Sequence, residues 1–214
     1  MEKQKYAAIV LAAGSGKRMN SQVHKQYLII QDRPVLYYSL KEFEDSAVDE
    51  IVLVVGKGEE EFCRREIVDK YGISKVKAIV EGGKERYHSV FEGLKQTSDA
   101  DYVLIHDGAR PFVNQDIIRR CMQEVQKYQA CVVGMPVKDT IKIADEEGYA
   151  KQTPDRKNVW MIQTPQTFSY ALIYEAYEEM LKTEDTAITD DAMVLERIKG
   201  KKSKLIEGSY RNIK

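Results

Sequence analysis

The chain has 214 residues, enough for one large domain or two small ones at roughly 100–200 residues per domain. Hydrophobic residues make up 43%, and 33 Lys+Arg stand against 34 Asp+Glu, which argues against a general nucleic-acid or membrane-surface binder because such proteins carry a basic excess. No apolar run approaches the roughly 20 residues that span a bilayer, and the opening "MEKQKYAAIV" goes directly into a strand pattern without a signal-peptide cleavage site.

In chain order, "YAAIVLA" (6–12) predicts the first buried strand, too short for a helix and rich in apolar residues. Ala12, Ala13, Gly14, Ser15 and Gly16 follow it. A dinucleotide fingerprint would need a third glycine at 19, where Met19 stands. A Walker loop would need glycine at 11 and Ser or Thr at 18, where Leu11 and Arg18 stand. What remains is a turn of small residues whose N–H groups can approach phosphate oxygens, followed by the cations Lys17, Arg18 and Lys25. The plainer alternative is a tight turn with ordinary surface cations. "PVLYYSLKEFED" then predicts a helix with Pro34 near its start, where a missing N–H costs least.

"EIVLVV" (50–55) and "VKAIV" (76–80) predict two more strands. After the second comes "EGGKERYHSV", where Gly82 and Gly83 can bring backbone groups against a base edge and Ser89 can add a hydroxyl at a helix start. Taken alone, that stretch reads equally as a plain strand-to-helix loop. "DYVLIH" (101–106) is followed by "DGARP": Asp107 at a strand end suits Mg²⁺, which takes one or two carboxylates plus substrate phosphates, and Arg110 can grip a phosphate. In "QDIIRRCMQEVQKY", Ile118, Cys121, Met122 and Val125 share one helix face. "ACVVGM" (130–135) and "VWMIQ" (159–163) complete the strands. Between them, residues 137–158 read as a polar two-stranded hairpin, marginal alone; of a loose surface excursion and an arm packed on another subunit, the arm is preferred. Strand–helix alternation implies an α/β fold with a largely parallel sheet and helices on both sides, its ligands at the carboxyl ends of the strands.

Other chemistries find little support. His24, His88 and His106 form no transition-metal cluster by spacing, and no G-x-S-x-G elbow is present. Cys63, Cys121 and Cys131 form no C-x-x-C pair and read as reduced structural thiols of a cytosolic protein. Cations, a carboxylate and glycine loops instead fit transfer chemistry on phosphate, where positioning and charge neutralisation supply most of the rate.

"LAAGSGKRM", "KQYL", "EGGKERYHSV", "IHDGARPF", "VKDTIK", "WMIQTPQTF", "AITDDA" and "EGSYRNIK" occur in one order and spacing, and by them the chain resembles the 2-C-methyl-D-erythritol 4-phosphate cytidylyltransferase family from residue 6 to its last residue. The resemblance implies a Rossmann-like nucleotidyltransferase fold, a single domain over 1–214, and transfer of CMP from CTP to methylerythritol 4-phosphate with release of pyrophosphate, in the non-mevalonate route to isoprenoid precursors. It implies that Arg18 and Lys25 act on the transition state and that Lys214 holds phosphates. Asp107 would sit near Mg²⁺, and Ala12 to Gly16, Gly82, Gly83 and Ser89 would form the nucleotide cradle. It also implies a homodimer whose arm, about 137–158, delivers Thr140 and Arg156 to the neighbouring site, with Arg110 and Thr189 as further acceptor contacts. No nucleic-acid or membrane partner is implied, and a cytoplasmic compartment is expected.

Two departures stand out. Relatives commonly have proline before the catalytic lysine, where this chain has His24, so a more mobile loop is expected. Relatives also continue past "NIK", so the chain is expected to run on beyond Lys214. Two rival readings remain: a cytidylyltransferase using ribitol 5-phosphate, and a non-catalytic nucleotide-binding regulator. Retention of Arg18, Lys25, Asp107 and Arg156 together argues against the second.

Overall fold

The computed structural model describes residues 3–14, 24–183 and 187–214. Its strands are β1 (Tyr6–Ala12), a short ribbon of β2 (Ile29–Ile30) and β3 (Arg33–Pro34), β4 (Glu50–Val55), β5 (Val76–Glu81), β6 (Tyr102–Asp107), β7 (Ala130–Pro136), a second ribbon of β8 (Ile143–Ala144) and β9 (Ala150–Gln152), β10 (Trp160–Ser169) and β11 (Lys204–Glu207). The helices are α1 (Val35–Glu44), α2 (Glu60–Cys63, continued by a π-helical turn), α3 (Arg86–Leu94), α4 (Gln115–Tyr128), α5 (Tyr170–Met180) and α6 (Asp191–Lys199). All six strands expected from sequence form. β10 runs on past "VWMIQ" because "TPQTF" stays buried and pairing resumes at Gln166 after an irregularity; α3 is the helix expected after "EGGKERYHSV", whereas β11, α2, α5 and α6 have no counterpart among the elements expected from sequence.

Seven strands make one sheet in the order β11-β7-β10-β6-β1-β4-β5. β1 pairs in parallel with both β4 and β6, β4 with β5, and β7 with β11, while β10 is antiparallel to both its neighbours. The chain leaves β1 for β4 and β5, then crosses back to β6 on the other side. That reversal is the topological switch point outside whose carboxyl edge α/β proteins bind ligands. The exception at β10 has a simple cause: β7 and β10 are joined by the arm as a long hairpin, and antiparallel neighbours need no crossover. Because β7 runs the same way as β6, the arm leaves the sheet at the same carboxyl edge.

Alternation along the central strands divides the core. Ala8, Val10, Leu53 and Leu104 face α1 and α4, packing with Leu36, Leu40, Phe43, Ile118, Cys121 and Val125. Ile9, Val52, Val54 and Ile105 face α3, α5 and α6, packing with Val90, Leu94, Ile173, Tyr177 and Leu195. α4 shows the local logic. Asn114 Oδ1 accepts Ile117 N–H at 3.0 Å as N-cap, the apolar stripe is buried, and Gln129 closes the helix in the left-handed conformation.

Candidate active site

Three loops meet at the carboxyl edge. Gly108 N donates to Leu11 O and Gly82 N to Val55 O, both at 2.8 Å, so the loops after β1, β5 and β6 continue the sheet's own pairing outward. Gly82 is required by closeness: a Cβ there would lie 2.5 Å from Ala13 Cβ and 2.6 Å from Ser89 Oγ. Gly82 is thus packed closely against both Ala13 and Ser89. Ser89 differs from expectation in one respect. It lies within α3 rather than at its start, buried, where its hydroxyl donates to Glu85 O and accepts Gly83 N–H at 3.1 Å, bracing the glycine loop from beneath. Gln26, buried, donates to Ala12 O at 2.5 Å and to Gly14 O at 3.3 Å, which ties the Lys25 segment to the first loop. Ser15, Gly16, Lys17 and Arg18 lie outside the described residues.

At the end of β6, Asp107 is ringed by three cations. Lys214 Nζ lies 2.9 Å from Oδ2, Arg86 Nε 3.4 Å from Oδ1 and Arg110 Nε 3.8 Å from Oδ2. Burial alone would raise the Asp107 pKa, but Arg86 and Lys214 outweigh it and hold the carboxyl well below the usual carboxylate range. With Asp191 paired to Arg86, three positive groups face two carboxylates, which leaves the cluster one positive charge in excess, of the sign a polyanion needs.

Each cation is placed by a different part of the chain. Arg86 forms a bidentate pair with Asp191 at 2.7 and 2.8 Å, and Tyr177 donates its hydroxyl to the same carboxylate at 2.6 Å. Asp191 opens α6, where the helix dipole favours a negative charge, and Gln166 Oε1 accepts the N–H groups of Asp191 and Ala192. Lys214 arrives because residues 208–214 fold back over β10. Gln163 donates to Ser209 O at 2.8 Å and buried Asn212 donates to Thr164 O at 2.9 Å. Arg110 Nη1 donates to Asn212 O, which joins the β6 loop to this tail.

His106 is fully buried beside the cluster. Arg110 O can only accept, so His106 Nε2 carries the proton of their 3.2 Å bond; Nδ1 therefore accepts from the Thr164 hydroxyl, whose oxygen accepts Asp107 N–H. Burial pushes the His106 pKa down to about 4, so the ring is neutral and holds the turn that carries Asp107 and Arg110. His88 caps α3 and His24 pairs with Glu59, in keeping with structural roles for all three histidines. The three thiols are buried, and burial raises the Cys63 pKa to about 11, away from the thiolate a nucleophile needs.

The arm residues stand apart from this cluster. Beyond buried Val137 the arm is exposed except at half-buried Ile141 and Pro154, and Arg156 Nη1 donates to Lys138 O within it; Thr140 is likewise exposed. Thr189 lies at the start of α6, its hydroxyl 3.5 Å from Met193 Sδ. Sequence reasoning passed over Arg86, Asp191, Gln166 and Asn212. Arg86 and Asp191 stand in "EGGKERYHSV" and "AITDDA", but 105 residues separate them and only the fold pairs them. Two cavities, of about 220 Å³ beside Tyr6, Ile118 and Met122 and about 360 Å³ beside Arg33 and Tyr37, are lined by none of the candidate residues.

The chain is similar to known proteins along nearly its whole length. The family model described as 2-C-methyl-D-erythritol 4-phosphate cytidylyltransferase matches residues 6–214. A protein of that name from Lachnospira eligens is 53% identical over 209 residues, covering 97% of this chain and 92% of the relative. One from Lachnoclostridium phytofermentans is 49% identical over 211 residues, covering 99% and 91%. The crystal structure of 4-diphosphocytidyl-2C-methyl-D-erythritol synthase from Anaerococcus prevotii is 36% identical, with a TM-score of 0.87, covering 99% of this chain and 90% of that one.

Proposed function

The chain belongs to the 2-C-methyl-D-erythritol 4-phosphate cytidylyltransferase family, a transferase family that moves the cytidylyl group of CTP onto a polyol phosphate for isoprenoid synthesis, and we propose how this chain's residues divide that work. Ala12 to Gly16, Gly82, Gly83 and Ser89 receive the nucleotide. Gly82, packed against Ala13 and Ser89, keeps bulky side chains out of this loop, and the nucleotide pocket selects a base by shape and by the polar groups a wrong base would leave unpaired. The acceptor's 4-phosphate oxygen attacks the α-phosphorus in line; a new P–O bond forms as the bond to pyrophosphate breaks. Arg18 and Lys25 oppose the charge that builds there, while Arg110 and Lys214 hold phosphate oxygens. Thr189, Thr140 and Arg156 contact the acceptor, the last two delivered by a partner's arm in a homodimer.

A magnesium ion fits the donor set. Asp107 is a single ionised hard-oxygen ligand at a strand end, and Mg²⁺ needs little more from protein when substrate phosphates and water complete its shell. When bound it supplies further neutralisation of the CTP phosphates. The remaining work falls to the chain: Arg86 keeps Asp107 in place, and triphosphate competes with the carboxylate for Lys214 and Arg110. The whole chain acts as one catalytic domain with a dimerisation arm at about 137–158. No described helix is long and apolar enough to cross a membrane; the proposed compartment is the cytoplasm.

The observation that carries this reading is the cationic ring around Asp107 beside the two glycine loops. The test is pyrophosphate release with CTP and Mg²⁺, comparing methylerythritol 4-phosphate with ribitol 5-phosphate. Release with the first alone is expected. Release with the second alone would move the acceptor assignment, and silence with both would favour a regulatory nucleotide binder.

A further inference from the structure

The segment that carries Lys25 is held from two sides. Lys25–Tyr27 is a single 3-10 turn, closed by Tyr27 N donating to His24 O at 2.9 Å. So short a turn has little stability of its own. On one side Gln26 fastens it to Ala12 and Gly14, as described above. On the other side stands Glu59, immediately before α2. Its Oε1 lies 2.9 Å from His24 Nδ1, and its Oε2 accepts the Tyr27 hydroxyl at 2.7 Å and Gly56 N–H at 3.0 Å. Cys63 Sγ, 3.1 Å from the Tyr27 oxygen, and the Phe62 ring, edge-on at 5.3 Å between centroids, close around Tyr27. Gly56 makes room for the carboxylate, since a Cβ there would lie 2.7 Å from Glu59 Oε2.

We propose that Glu59 is a positioning residue for the transfer reaction: by holding His24 and Tyr27, which bracket Lys25 and Gln26, it fixes the backbone from which the Lys25 ammonium reaches the reacting phosphates. The inference rests on the role given to Lys25 above. A long flexible ammonium side chain needs an immobile base, and a misplacement of about 1 Å can cost on the order of 10²-fold in rate. Glu59 anchors that base to the end of β4, one strand away from β1.

The test measures kcat and the CTP KM for Glu59→Ala, Glu59→Gln, Lys25→Ala and the Lys25→Ala/Glu59→Ala double variant. Glu59→Ala should lower kcat roughly 10- to 100-fold with the CTP KM changed less than about threefold. Glu59→Gln, which keeps an acceptor for Tyr27 and Gly56, should recover most of it. The double variant should be no slower than Lys25→Ala, because a residue acting through Lys25 has nothing left to position. His24 has φ −63°, the angle that a proline ring imposes, so His24→Pro added to Glu59→Ala should restore part of the rate. Should Glu59→Ala not fold, His24→Ala, alone and with Lys25→Ala, gives the same comparison. Wild-type kcat in Glu59→Ala, or a further full loss on top of Lys25→Ala, would overturn the proposal while leaving Lys25 in place. Wild-type kcat in Lys25→Ala would instead remove the role of Lys25, and this inference with it.

Discussion

His106 shows how one buried side chain sets both the geometry and the pH response of the site. Its folded pKa of about 4 lies below the unfolded 6.5, so the unfolded chain binds more protons between those values. Stability is therefore full above pH 6.5 and falls as pH drops toward 4, by about 3 kcal/mol from this group. Asp107, also depressed, has its share present above its unfolded pKa, and that share is lost at still lower pH. Urea unfolding at pH 7 and pH 4.5 should show the fall, and His106→Gln should flatten it; an unchanged slope in that variant would contradict the assignment. At this scale much was open to reading. Asp107 and Arg110 stand out as charges after a buried strand. Arg86 did not, because a lone Arg after "GGKE" looks like solvent-facing charge until a carboxylate 105 residues on is placed against it.

At the scale of elements, the start of α6 is the part that organises most with fewest residues. Asp190 caps the helix, accepting Met193 N–H at 2.9 Å, while Asp191 turns inward to Arg86 and Tyr177. Removing that carboxylate would strand the buried Tyr177 hydroxyl and leave the half-buried Arg86 guanidinium to Asp107 alone. Asp191→Ala should therefore cost about 3–5 kcal/mol, read from the shift in the urea midpoint at unchanged m-value; a loss below about 1 kcal/mol would mean that water replaces the carboxylate. The tail is similarly placed by buried Asn212 and Gln163, neither of which looks special in "RNIK" or "MIQT". The expectation of a loose segment before Lys25 also meets an observed tie: His24 and Tyr27 share the Glu59 carboxylate, a contact that spacing cannot show because Glu59 comes more than 30 residues later.

For the whole molecule, the arm is the feature that a single chain leaves unexplained. Ile143 is 45% exposed and Tyr149 70%, on a ribbon with too few pairs to be stable alone, and Met161, where β10 begins, is 47% exposed. Deleting residues 138–157 should give monomers by sedimentation equilibrium, and persistent dimers would place the interface elsewhere. Arg156→Ala should raise the acceptor KM by about tenfold or more, as expected when one partner of a charge pair is removed, and leave the CTP KM nearly unchanged. Equal loss for both substrates would contradict its placement. By itself the sequence determined the strand order along the chain, the layered α/β core, the glycine loops and the polar arm, because hydrophobic period and turn chemistry are local properties. Only the tertiary structure decided which charges meet: that Arg86 turns to Asp191, that three cations ring Asp107 and that Glu59 grips the Lys25 turn. The pairing of distant groups is set by how strands order and helices pack, and no local pattern encodes it.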